Sequence, residues 1–167
     1  MTHHHSDRLL PVAYYLTWNT YGSWLPGDSR GWNRRGDSGL FEHSPRLHAW
    51  CRAHQRDLEL TFSPAQRATV RRSVDGACER REWTIHARVV QTQHIHLVVV
   101  ASMPVSQALR QLKGEVTRAL REEHPELVGR PIWARHGNKW VLYSDDAVAG
   151  AVRYVLDDHH GHTPNHG

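Results

Sequence analysis

Two histidines one residue apart, His94 and His96, open an apolar run, "QTQHIHLVVV" from Gln91 to Val100. In an extended strand, residues i and i+2 point to the same face. The two imidazoles then stand side by side while Ile95 faces the other way, and paired imidazoles can chelate a divalent cation. With 15 histidines in 167 residues, about one His-x-His is expected by chance. His3 with His5 and His160 with His162 are further examples, near the two ends of the chain. From spacing alone, two histidines satisfied by neighbours at a sheet edge explain the pattern as well.

A helix expected over about Asp145–Asp158 offers the remaining parts. Val148, Val152 and Val155 mark its apolar face, and Tyr154 points off that face. Gly150 and Asp158 lie one turn before and one turn after Tyr154, so phenol and carboxylate form a column with room above the glycine. Brought to the histidine strand, this helix supplies a nucleophile beside a three-ligand cation. The plainer reading of Tyr154 is a surface tyrosine hydrogen-bonded at its tip.

The elements that must position these groups follow from pattern. "PVAYYLTWNTY" (11–21) is aromatic and β-branched, as strands are. Residues 22–62 are rich in Gly, Pro, Arg, His and Trp without periodicity, a long irregular stretch. "SPAQ" at 63–66 reads as a capping box opening a helix with Val70, Val74, Ala77 and Cys78 on one face. Strands are expected at 82–91 and 94–101, joined as a hairpin through Thr92-Gln93. A helix follows over 104–123, with Val105, Leu109, Leu112, Val116 and Leu120 inward. Residues 131–144 read as extended chain with a turn at His136-Gly137-Asn138. The order β-α-β-β-α-β plus a C-terminal helix predicts an α+β, ferredoxin-like (RRM-like) antiparallel sheet with two helices on one face. We read one domain over 11–158 with an insertion at about 22–62, and disordered tails at 1–10 and 159–167.

Net charge is +4, and 19 of the 21 basic residues are arginine. Guanidinium forks match phosphate geometry, so a nucleic-acid partner is plausible. Cys51 and Cys78 form no Cys-x-x-Cys pair, which argues against a zinc knuckle and fits a reducing compartment. No signal peptide or membrane span is evident, so a cytoplasmic location without membrane association is expected.

Several blocks in order resemble the HUH single-tyrosine transposases of small bacterial insertion sequences, including the REP-associated tyrosine transposases. They are "YYLTWNTYGSWLPGD", "QHIHLVVV", "LRQLKGEVTRAL", "PIWARHGNKWVLYS" and "AVAGAVRYVLDD", spanning about Val12 to Asp158. The resemblance implies His94 and His96 as ligands of Mg²⁺ or Mn²⁺, Tyr154 as nucleophile and Asp158 as third ligand. Related proteins often carry an amide at that last place; Asp157 and His159 compete for the role. Tyr143 is a rival nucleophile without an i+4 partner. The implied activity is cleavage and rejoining of hairpin-flanked single-stranded DNA through a 5′-phosphotyrosine. The implied partners are imperfect DNA hairpins and either no second subunit or a homodimer exchanging the tyrosine helix.

Lys113, in an "LKG" context, and Arg110 share a polar helical stripe with Thr117 and Arg121. That stripe is either a DNA-backbone contact or an ordinary solvated face. Trp24 and Trp32 among Arg34 and Arg35 suit stacking on unpaired bases with phosphate clamping, or anchor a long loop. The competing function is a domesticated, non-catalytic binder of structured single-stranded DNA or RNA. A generic RNA-binding sheet would carry a block such as "GFGFV" on a central strand, and a two-histidine phosphoesterase two His-x-[Ser/Thr] motifs; neither is present.

Overall fold

Alternation in the first strand, β1 (Ala13–Thr20), splits its side chains between two unlike environments. Tyr14, Leu16 and Trp18 enter a large apolar core, while Ala13 and Tyr15 join a smaller one. The computed structural model describes residues 10–23 and 42–157. The expectations placed on Trp24, Trp32, Arg34, Arg35, Asp158, His159 and most of both tails lie outside these residues.

The large core is completed by two helices. In α2 (Pro64–Arg80) the expected capping box is present: the Gln66 amide donates to Ser63 Oγ at 3.1 Å and the Ser63 amide to Gln66 Oε1 at 3.0 Å. Val70, Val74, Ala77 and Cys78 are buried, as the periodicity predicts. Burial pushes the Cys78 thiol up to about 11, so it behaves as a packing residue. In α3 (Val105–Glu123), Ala108, Leu109, Leu112, Val116 and Leu120 are buried. Arg80 at the end of α2 and its C-cap residue Arg81 both pair with Glu115 of α3, tying the two helices together.

Strands β2 (Thr84–Val90) and β3 (His94–Val100) form the expected hairpin, closed by the Gln91 amide donating to the His94 carbonyl at 2.8 Å. The last strand, β4 (Trp133–Leu142), pairs antiparallel with β1. The sheet order is β2-β3-β1-β4, with every pairing antiparallel. This is the ferredoxin-like arrangement, with α2 and α3 packed on one face. A C-terminal helix, α4 (Asp145–Asp157), packs on the other through Val148 and Val155 against Ala13, Ala87 and Val98. Its start is capped by Ser144, whose Oγ accepts from the Ala147 amide at 3.1 Å, and Asp145 and Asp146 suit the positive helix end.

Two expectations are corrected. Residues 136–138 are not a turn; they lie inside β4. Gly137 is required there because an added Cβ would come within 2.7 Å of the Thr17 carbonyl, so it marks close backbone approach within a strand. The β1–β4 register slips just beyond, between Trp18 and Thr20. The segment 22–62 is also not wholly irregular: α1 (Pro45–Ala53) lies in it, and the chain after α1 returns to the core. Leu60 and Phe62 are buried, with their amides donating to the carbonyls of Tyr21 and Thr92. Among the described residues no helix is long and apolar enough to cross a membrane.

Candidate active site

Odd-numbered residues of β3 (Ile95, Leu97, Val99) fill the large core, which turns His94 and His96 onto the face that carries α4. The two rings are 5.0 Å apart and nearly perpendicular, and both side chains are half-buried. At a metal–nitrogen distance of about 2.1 Å, one cation can touch a nitrogen of each ring at this spacing. The donor chemistry therefore fits a divalent ion, with two positions supplied by the chain. Among the described residues no third His, Cys, Asp or Glu joins them. Asp157, the last residue of α4, is not grouped with the pair.

Tyr15 of β1 lies beside the pair, a position that spacing along the chain does not show. Its hydroxyl lies 2.9 Å from His96 Nδ1, and its ring stacks on that of His96 at 6.1 Å and 17°. A hydrogen bond at one imidazole nitrogen sets the tautomer and assigns coordination to the other. With Tyr15 at Nδ1, a cation bound by His96 would be held at Nε2. On its other side Tyr15 stacks on Trp140 of β4, at 4.8 Å and 17°. Strand alternation was the signal that could have found Tyr15: it shares a face with Ala13 and Thr17, and Thr17 is the register partner of His96.

Tyr154 meets the same ring. It lies edge-on to Tyr15 at 6.2 Å and 71°, and is 54 % exposed. One aromatic side chain thus touches both His96 and Tyr154 within a single chain. An added Cβ at Gly150 would meet nothing within 4 Å, so the space expected one turn before Tyr154 is present. Tyr143 lies elsewhere. It follows Leu142, which pairs with Ala13, whereas His96 pairs with Thr17. At about 3.3 Å per residue along β1, Tyr143 is roughly 15 Å from the histidine row.

The polar stripe on α3 divides. Arg110 is exposed, but Lys113 is half-buried, with Nζ donating to the Ala134 carbonyl at 3.4 Å. Burial lowers the Lys113 ammonium below its usual range. Thr117 Oγ1 donates to the Lys113 carbonyl at 2.7 Å and accepts from Trp133 Nε1 at 2.8 Å. This part of the stripe packs on β4; it is not an ordinary solvated face.

Residues 46–143 match the family model described as "Transposase IS200 like". The match contains the histidine pair and ends before α4. No curated protein matches the sequence. Among solved structures, a transposase-type protein from Deinococcus radiodurans R1 is similar at a TM-score of 0.52 and 14 % identity, covering 90 % of this chain and 93 % of that one. A REP-associated tyrosine transposase bound to a REP hairpin is similar at a TM-score of 0.50 and 18 % identity, covering 89 % of this chain and 68 % of that one. At such identities the likeness is one of fold, and the family rests on the match across more than half of the sequence: the chain belongs to the IS200-like transposases.

Proposed function

We propose that the protein cleaves and rejoins single-stranded DNA beside a hairpin, with Tyr154 as nucleophile and His94 and His96 as metal ligands. The observation that carries this reading is the bridging position of Tyr15, in contact with both His96 and Tyr154. A phosphate held at the histidine pair is then close to a phenol of the same chain. Mg²⁺ or Mn²⁺ bound there would polarise the phosphate and stabilise charge on its oxygens.

Tyr154 Oη attacks phosphorus, its proton passes to solvent, and the bond to the 3′ oxygen breaks as that oxygen takes a proton from solvent. The DNA 5′ end is left on tyrosine with a 3′ hydroxyl released. Reversal at another junction exchanges one phosphodiester for another, so rejoining needs no ATP. A phenol of ordinary pKa near 10 is a poor nucleophile at neutral pH, which is why placement beside a cation matters. Tyr15 holds His96 in the orientation that presents Nε2. Asp158, next after α4, is the proposed third ligand. That Tyr15 meets both His96 and Tyr154 within one chain supports a reading without exchange of the tyrosine helix. A hairpin as recognition element is proposed by extension from the hairpin-bound relative.

The test is a labelled hairpin oligonucleotide with an unpaired flank, incubated with protein and Mn²⁺ and run on a denaturing gel. A covalent adduct is expected, and EDTA should abolish it. A non-catalytic binder of structured single-stranded DNA or RNA instead predicts no adduct and no change in any activity on His94→Ala.

A further inference from the structure

The face that carries the histidines continues to the edge of the sheet, and its outermost ring is Trp140. The β1–β4 register pairs Trp140 with Tyr15, so three rings run nearly parallel from His96 through Tyr15 to Trp140. Helix α4 packs mainly on β2 and β3 and less on β4. Trp140 is 46 % exposed on an edge strand, a position where a polar side chain ordinarily protects the edge. Arg153 of α4 precedes Tyr154; it is exposed and not ion-paired among the described residues.

We propose that Trp140 is a stacking platform for one unpaired base of the DNA strand next to the cleaved phosphate. The proposal rests on the DNA-cleaving reading for the location of that phosphate. An indole supplies a broad π-face that accepts any base, which gives affinity without sequence preference. The exposed guanidinium of Arg153, next to Tyr154 in α4, suits a phosphate of the same strand. A base on Trp140 would extend the ring row and draw the strand across the sheet from the histidine pair towards β4.

The test is binding by fluorescence anisotropy, which does not require cleavage. Two probes are used, a labelled hairpin with an unpaired flank and the same hairpin trimmed flush. Trp140→Ala and Trp140→Leu should each weaken the flanked probe about tenfold, while Trp140→Phe stays within about threefold and the flush probe is unaffected. Leucine keeps Tyr15 covered but offers no π-face. Wild-type affinity for Trp140→Leu therefore overturns the proposal in favour of simple cover. So does an equal loss on both probes, which signals general distortion, and so does no loss on the flanked probe. An adduct at Tyr154 without any Trp140 effect overturns the platform alone, whereas no binding of the flanked probe by wild type contradicts the DNA reading as well.

Discussion

The two faces of the sheet are built from the same strands and do different work. On the α2–α3 face, Leu16, Trp18, Ile95, Leu97, Leu112 and Leu120 are essentially inaccessible, and close packing of such residues is the main source of stability. On the α4 face the apolar cluster is small. Around it the strands present His94, His96, Tyr15 and Trp140, and α4 presents Tyr154, all half-buried or exposed. One face buries apolar area; the other holds polar rings in fixed orientation where a ligand can reach them. Neighbouring residues of one strand therefore belong to different economies, and substitutions at adjacent positions should separate stability from activity.

Leu97 and His96 give the sharpest contrast. Leu97→Ala should cost about 2–5 kcal/mol of stability by denaturant titration, with residual activity tracking the folded fraction. His96→Ala should lower adduct formation by about 100-fold or more while leaving the denaturation midpoint nearly unchanged. The comparison breaks if His96→Ala unfolds the protein or Leu97→Ala spares it.

Tyr15→Phe sharpens the second face. The variant keeps the ring contacts and removes the hydroxyl at His96 Nδ1. Mn²⁺ affinity measured by calorimetry should fall about tenfold, with about 1 kcal/mol or less of stability lost. Unchanged affinity would mean that the hydroxyl does not orient the imidazole.

The smallest effect is expected between α2 and α3. Burial alone would raise the Glu115 carboxyl, but hydrogen bonds and charge from Arg81 and then Arg80 outweigh it and hold Glu115 below the usual 4.5. A depressed carboxylate contributes stability above its unfolded value, and that contribution is lost as pH falls through the folded value. Glu115→Gln should therefore be modestly less stable than wild type at pH 7, with the gap closing below about pH 4. Adduct formation per folded molecule should not change.

Much of this was legible from pattern. The capping box at Ser63, the apolar stripes of α2 and α3 and the histidine alternation each rest on local periodicity, and each element formed where expected. What escaped depends on tertiary partners. Gly137 resembles a turn glycine until the Thr17 carbonyl is seen against it. Helix α1 has no buried residue, so it leaves no apolar stripe to detect, although Ser44-Pro45 repeats the start signal of Ser63-Pro64. Lys113 reads as surface because a lysine on a polar stripe usually is; its burial comes from β4. Tyr15 and Trp140 look like ordinary strand aromatics until the register sets them beside His96. That Tyr154 points off the apolar face of α4 was legible from helical spacing, and its neighbour in space, Tyr15, was not.

The central claim is that Tyr154 attacks a phosphate held at the His94–His96 pair. Wild type and Tyr154→Phe, each with Mn²⁺ and the flanked hairpin probe, test it most directly on a denaturing gel. The account predicts a covalent adduct for wild type, none for Tyr154→Phe, and equal probe affinity for both. An adduct that persists in Tyr154→Phe, or one that wild type never forms while binding the probe, would contradict it.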